Sequence, residues 1–230
     1  MPQSAVHRLF ARSRLLRRLT VGTLSRFELV IMGGHKQRTR LDIIRRIRRE
    51  RESLLSGNEA FMISSLAAAQ RAVGGVMAEV GVFQGCSAKL ISVAGCPSEL
   101  HLFDTFKGLP EPDRSERRAM RKGHYAASLD AVTAYLADQP NLLFHEGLFT
   151  GRDVPCADRS FSFVHLDVDL KEGTRACLDF FYPRMLPGGV ILSHDYSYLD
   201  GVREAFAEFL ADRAERVIEL PSSQVMLIKA

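Results

Sequence analysis

Along the chain, apolar residues first recur at helical spacing and then gather into short runs separated by helical stretches. Leu41, Ile44, Ile47, Leu54 and Leu55 stand near a 3.6-residue period among Arg and Glu, which predicts a basic amphipathic helix over Leu41 to Leu55. Asn58 reads as the cap of a second helix through Met62, Leu66 and Ala69. From Gly74 onward strand-like and helix-like segments alternate, the pattern of a parallel sheet with helices on both faces. Strands are predicted at Val76 to Gly81, Leu100 to Phe103, Leu142 to His145, Phe161 to Val168 and Val190 to Ser193. Helices are predicted at Ala88 to Ala94, Leu129 to Ala137, Thr174 to Tyr182 and Gly201 to Ala211, with Gly188 and Gly189 turning the chain into the fifth strand. Two further strands, Val217 to Leu220 and Val225 to Ile228, are joined only by Pro221, Ser222 and Ser223, so one of them must run antiparallel. The expectation is an α/β fold with a doubly wound, mostly parallel seven-stranded sheet and an N-terminal helical extension. Residues 1–56 form a basic arm and helix, and 57–230 the main domain.

Composition narrows the class. Apolar residues make up 46% and charged residues 25% of the chain, ordinary values for a globular protein. Arg26 and Glu28 interrupt the longest membrane-helix candidate, Val21 to Met32, so a soluble, cytoplasmic protein without a transmembrane segment is expected. Cys86, Cys96, Cys156 and Cys177 form no CxxC pair and have no histidine at finger spacing, which argues against a zinc finger or redox motif. Residues 1–52 hold 14 Lys and Arg against 4 Asp and Glu, a surplus of +10 that leaves −6 for the rest. Two readings stay open: an arm for nucleic acid or anionic lipid, or a segment docked on an acidic body. The arm has no interleaved aromatics and the chain no Asn-Pro-Pro-aromatic motif, which counts against a nucleic-acid partner.

The chemistry concentrates at strand ends. The first predicted strand runs into Glu79, Gly81, Gly85 and Ser87, a glycine-bearing turn at the carboxyl edge of the sheet, where doubly wound proteins bind ligands. Its spacing departs from GxGxxG, which disfavours a nicotinamide oxidoreductase. Asp104 follows about 20 residues later, where a carboxylate can accept from both hydroxyls of a ribose, so turn and acid together point to an adenosine site. His165-Leu166-Asp167-Val168-Asp169 ends the fourth predicted strand and His194-Asp195 the fifth. Strand alternation would put Asp167 and Asp169 on one side, with Asp195 beside them on the neighbouring strand. Carboxylates so grouped repel unless a proton or cation joins them. Each also has a structural reading, Asp169 as a helix cap and Asp195 as a turn residue. Between these sites Lys107 to Ser128, charged and holding Pro110 and Pro112, reads as a long connection that could cover a bound acceptor together with the basic helix.

Taken together, Glu79-Val80-Gly81-Val82-Phe83 with Gly85 and Ser87, Leu102-Phe103-Asp104-Thr105-Phe106 with Gly108-Leu109-Pro110, His165 to Leu170, Tyr182-Pro183, Pro187-Gly188-Gly189-Val190-Ile191 and Asp195-Tyr196 resemble the macrocin O-methyltransferase family over about residues 57 to 229. The resemblance implies a class I methyltransferase fold and S-adenosylmethionine-dependent methylation of a hydroxyl on a sugar, glycan or other small natural-product acceptor, assisted by magnesium. It implies a cofactor-binding set of Glu79, Gly81, Gly85, Ser87 and Asp104, with Glu79, Gly81 and Ser87 around the methionine part and Asp104 on the ribose. Asp167 and Asp195 would be metal ligands and Asp169 the general base. The chain departs from the family where two aspartates usually follow the fifth strand, having His194 and Asp195, and where a tyrosine often follows the fourth-strand acids, having Lys171. A histidine there invites a borderline metal such as manganese or zinc, or is a structural imidazole, or takes the proton itself and is catalytic with Asp169. A cofactor-binding protein without catalysis and an RNA methyltransferase recruited by the arm are the rival readings. A homo-oligomer is left open.

Overall fold

The computed structural model describes residues 14–118 and 120–230, so Arg8 and Arg12 of the basic segment lie outside the described residues. Among the described residues three helices come first, α1 (Arg14–Met32), α2 (Arg38–Glu50) and α3 (Gly57–Gln70). The alternating part follows as β1 (Val76–Val80), α4 (Cys86–Gly95), β2 (Leu100–Asp104), α5 (Leu129–Tyr135), β3 (Leu142–Glu146), β4 (Phe161–Leu166), α6 (Lys171–Phe181), β5 (Met185–Ser193), α7 (Asp200–Phe209), β6 (Ile218–Glu219) and β7 (Val225–Ile228). The seven strands lie in the order β3-β2-β1-β4-β5-β7-β6. All pairs from β3 to β5 are parallel, and β7 runs antiparallel to both β5 and β6, as the short link after β6 requires. The chain winds outward from β1 to β3 and then returns to place β4 on the other side of β1, so the switch point lies between β1 and β4.

Period-two alternation divides the core into two layers. Met77, Leu100, Leu102, Phe163 and Leu192 face α1 to α5, whereas Val76, Ala78, Val80, Val164 and Ile191 face α6 and α7. In the second layer Phe181 is fully buried, stacked on Phe149 with centroids 5.2 Å apart and edge-on to Phe161 at 5.0 Å. Leu41, Ile44 and Ile47 of α2 belong to the same cluster as Leu90 and Ile91 of α4. The arginines of α2 are used locally: Arg40 donates to Ser65, Arg45 to the Leu29 carbonyl and Arg48 to the Leu55 carbonyl. Of these only Arg40 reaches beyond residues 1–56, and Arg38, Arg46 and Arg49 of the same helix are exposed, so both readings of the positive surplus stay open.

Several boundaries differ from the sequence expectation, each for a local reason. The cap of α3 is Ser56: its side chain accepts from the Glu59 amide while the Glu59 carboxylate accepts from the Ser56 amide, a reciprocal capping box. Asn58 donates from backbone and side chain to Glu28 and so fastens α3 to α1. α2 stops at Glu50 because Arg51 turns extended, at φ −141°, and Leu54 and Leu55 go to a cavity wall. β4 stops at Leu166, two residues early, and β5 starts at Met185 with the glycine pair as an irregularity within it. No helix among the described residues is long and apolar enough to cross a membrane.

Removing the Ile44 side chain tests whether α2 belongs to the cooperative unit. Ile44→Ala should cost about 2–5 kcal/mol in a single urea transition, because the side chain is 1% exposed inside the shared core. A separate early transition with the main one unmoved would show α2 to be an appendage.

Candidate functional site

The turn after β1 is shaped by one close approach. Gly81 has φ +91°, and a β-carbon there would lie 2.0 Å from the Asp167 carbonyl oxygen, so no other residue fits. Gly85, at φ +82°, starts α4 and packs against Val132 and Leu136. Asp104, at the end of β2, holds the same turn from outside. Its Oδ2 accepts from the amides of Val82 at 2.7 Å and Phe83 at 2.9 Å, and its Oδ1 accepts from Phe106 at 2.8 Å. A carboxylate has about four acceptor positions, so one remains toward the cavity that Asp104 lines. Ser87 and Gly81 lie on the same wall. Glu79 and Gly85 do not. Glu79 is fully buried beneath the turn with its Oε1 2.8 Å from His165 Nδ1, and burial raises its carboxyl above the usual range against the partial offset of that histidine.

The cavity itself measures about 650 Å³ and runs along the carboxyl edge of the sheet over the switch point. Its lining includes the glycine turn, Phe149, Asp167, Asp169, His194 and Asp195. Glu52 to Leu55 of the segment after α2, and Leu109, His124 and Tyr125 of the connection between β2 and α5, complete its walls. That connection is tied to the site: the Lys171 amide donates to Glu116 Oε1 at 2.8 Å, an acid on the amino end of α6. Lys171 itself bonds Glu204 at 3.0 Å and Glu208 at 2.7 Å on α7 and stays off the cavity wall. Cys86 is on the wall, but burial pushes its thiol up to about 12, which leaves it protonated and unreactive.

Backbone ladders deliver the acidic end of the cavity. The Asp167 amide donates to Val80 at 2.9 Å and the His194 amide to Leu166 at 2.8 Å, carrying the registers β1–β4 and β4–β5 one step beyond the strands. Asp169 and Asp195 then take left-handed backbones, φ +60° and +58°, which aspartate tolerates better than most residues. Strand alternation therefore does not govern Asp169, because the chain has turned before it. Asp167, His194 and Asp195 are brought together, with ligand atoms all within 4.8 Å of one another, while Asp169 stands beside this trio on the wall, 9% exposed.

His194 sits among three carboxylates. Its Nδ1 lies 3.2 Å from Asp195 and 3.6 Å from Asp167, and its Nε2 lies 3.3 Å from Glu59. Neither ring nitrogen is in an aligned hydrogen bond. Burial disfavours the charged ring, yet Asp195, Asp167 and Glu59 together outweigh it and raise His194 well above its ordinary value. On Glu59 burial acts upward, but the charge and contact of His194 and hydrogen bonds from Ser223 and Ser56 hold the carboxyl far below its usual range. Glu59 is the residue that sequence reading missed. Its only linear signal is the Ser56-to-Glu59 capping spacing, which marks a helix start and says nothing of a histidine on β5.

Known proteins resemble the chain in sequence and in fold. Residues 62–226 match the family described as macrocin-O-methyltransferase (TylF). A curated relative, the 8-demethyl-8-(2,3-dimethoxy-alpha-L-rhamnosyl)-tetracenomycin-C 4'-O-methyltransferase of Streptomyces olivaceus, is 29% identical over 155 residues, which are 60% of this chain and 58% of that protein. The chain thus spans somewhat over half the length of that relative. In fold it is similar to the O-methyltransferase NovP, with a TM-score of 0.68 at 22% identity, over 77% of this chain and 82% of that one. It is also similar to an O-methyltransferase from Bacillus cereus solved with SAH, with a TM-score of 0.56 at 13% identity over 91% and 100% of the two chains. The match over most of its length places the chain in the macrocin O-methyltransferase family.

Proposed function

We propose that the chain is an S-adenosylmethionine-dependent O-methyltransferase that methylates a hydroxyl of a sugar or another small natural-product acceptor. One observation carries this reading: a single cavity joins the glycine turn and Asp104 at one end to Asp169 and the Asp167–His194–Asp195 trio at the other. Family membership, the sugar position named in the activity of the Streptomyces olivaceus relative and the SAH held by the Bacillus cereus protein support it. Residues 57–230 would form the methyltransferase unit, with the segment before it lending Glu52 to Leu55 to the wall.

In this reading the Gly81–Ser87 turn and Asp104 hold the donor, Asp104 offering its remaining acceptor position to the ribose. The donor supplies a methyl group on a positively charged sulfur. Glu79 acts from below, keeping the turn in place through its contact with His165. Asp169 would receive the hydroxyl proton as the acceptor oxygen bonds the methyl carbon and the carbon–sulfur bond breaks, its electron pair leaving on the neutral sulfur of SAH. Walls from the β2–α5 connection and from Glu52 to Leu55 exclude water and fix the acceptor in line. Positioning of this kind is worth about 7–11 kcal/mol, and a general base adds about 10²–10⁴-fold, so geometry outweighs the base.

The trio fits a divalent cation. His194 Nδ1 is a buried nitrogen without an aligned partner, facing Asp195 and Asp167, and the negative field that draws a proton to the ring would equally draw a metal in the proton's place. Asp167, His194 and Asp195 would hold the ion, which would polarise the acceptor hydroxyl.

Two measurements test the reading. Incubation with S-adenosylmethionine and a panel of glycosides, nucleotide sugars, phenols and RNA, followed by mass spectrometry, should show a methyl added to a sugar-bearing acceptor. Asp169→Asn should lower that turnover by about 10²-fold or more with SAH affinity unchanged. Methylated RNA alone would replace the substrate class, and SAH binding without any product would leave a binding protein.

Calorimetry with SAH addresses Asp104. Asp104→Ala should weaken binding by at least about 10-fold, since hydrogen bonds to a charged acceptor are worth about 1.5–3 kcal/mol each. Unchanged affinity in a folded variant would remove Asp104 from the ribose site.

A further inference from the structure

Glu59 contributes nothing to the cavity wall, being 6% exposed on α3, yet both of its carboxylate oxygens are engaged. Its Oε1 accepts from the Ser223 hydroxyl at 2.6 Å and the Ser223 amide at 3.4 Å, on the link between β6 and β7. Its Oε2 accepts from the Ser56 amide at 2.8 Å and lies 3.3 Å from His194 Nε2. A capping box alone needs only Ser56 and Glu59, so the contacts to Ser223 and His194 call for another account. They fix one oxygen of a buried carboxylate against one face of a buried ring. The opposite nitrogen, Nδ1, faces Asp195 at 3.2 Å and Asp167 at 3.6 Å.

We propose that Glu59 is a positioning residue for a mixed nitrogen and oxygen metal site: it accepts the Nε2 proton of His194, so that Nδ1 offers its lone pair beside Asp167 and Asp195 and the trio takes a borderline divalent transition ion such as Mn²⁺ or Zn²⁺ in preference to Mg²⁺. The inference rests on the cation reading given above. A histidine that donates one ring N–H to a carboxylate is locked in the tautomer whose other nitrogen can bind metal, and that carboxylate raises its basicity. Magnesium demands oxygen ligands and gives up water reluctantly, whereas imidazole suits the later first-row ions. Glu59 reaches the ion only through the ring.

The test uses the full chain with Mn²⁺ as probe. Electron paramagnetic resonance counts free Mn²⁺ during titration, Mg²⁺ is added as competitor, and a pulsed experiment reads ¹⁴N coupling from a directly bound imidazole. Wild type should bind Mn²⁺ more tightly than Mg²⁺ and show ¹⁴N coupling. Glu59→Gln keeps a residue that a capping box accepts, but its amide would donate to Nε2 and favour the tautomer with the proton on Nδ1. It should therefore weaken Mn²⁺ binding by about 10–100-fold and lose the coupling. His194→Asp should lose the coupling and gain Mg²⁺ affinity. Bound Mn²⁺ with no ¹⁴N coupling in wild type, a result that needs no variant to fold, would overturn the inference and leave the cation reading standing. Unchanged Mn²⁺ affinity and coupling in Glu59→Gln would do the same. Failure of wild type to bind any divalent ion would remove the cation reading and this inference with it.

Discussion

At Gly81 the backbone of β1 passes so close to Asp167 that a β-carbon would stand 2.0 Å from its carbonyl oxygen, and the cavity is built around that approach. A parallel sheet whose winding reverses between β1 and β4 leaves a crevice at their carboxyl ends. The missing side chain lets the two ends converge there, so the turn that shapes one end of the cavity and the acid that begins the other share a wall. Asp104 then stiffens the turn with hydrogen bonds from the amides of Val82 and Phe83, and the ladder that continues through Asp167 and His194 sets the second group of residues in register with the first. Neither half is positioned by a flexible loop.

Electrostatics explains why the acidic end tolerates its own charge. Asp167 and Asp195 lie side by side at strand ends, where like charges repel, and His194 stands between them and Glu59. A ring so placed is stabilised when charged. His194 thus carries the counter-charge to the carboxylates around it, and under the proposed cation reading it would be a ligand instead. The backbone is arranged for this, with Asp169 and Asp195 in left-handed conformations that turn their side chains out of the strand pattern at the end of each ladder.

The fold was largely legible because period and punctuation agree: alternation of apolar residues marked the strands, and glycine and proline marked the turns. The layer assignment followed from the same period, as Met77 against Val76 and Ala78 shows. The strand-end acids were legible for the same reason. What stayed hidden is what depends on contacts distant in sequence. Phe161 to Val168 is a continuous run with an acid in it, and only the bond from the Leu170 amide to Val168 reveals that the strand has already ended at Leu166. Leu54 and Leu55 fit a helical period, but the cavity wall claims them. Glu79, expected around a bound ligand, lies beneath the turn because its strand position points it into the sheet toward His165. Glu59 meets His194 across 135 residues of chain, a distance no local pattern spans.

In the proposed reading the turn at Gly81 and the Asp167–His194–Asp195 trio serve one ligand-binding cavity. A crystal structure of the chain grown with SAH and Mn²⁺, with anomalous data collected for manganese, tests it most directly. SAH should lie against Gly81 to Ser87 and Asp104, with an anomalous peak within coordination reach of Asp167, His194 Nδ1 and Asp195 in the same cavity. SAH bound away from that turn, or manganese bound elsewhere with the trio closed on itself, would contradict it.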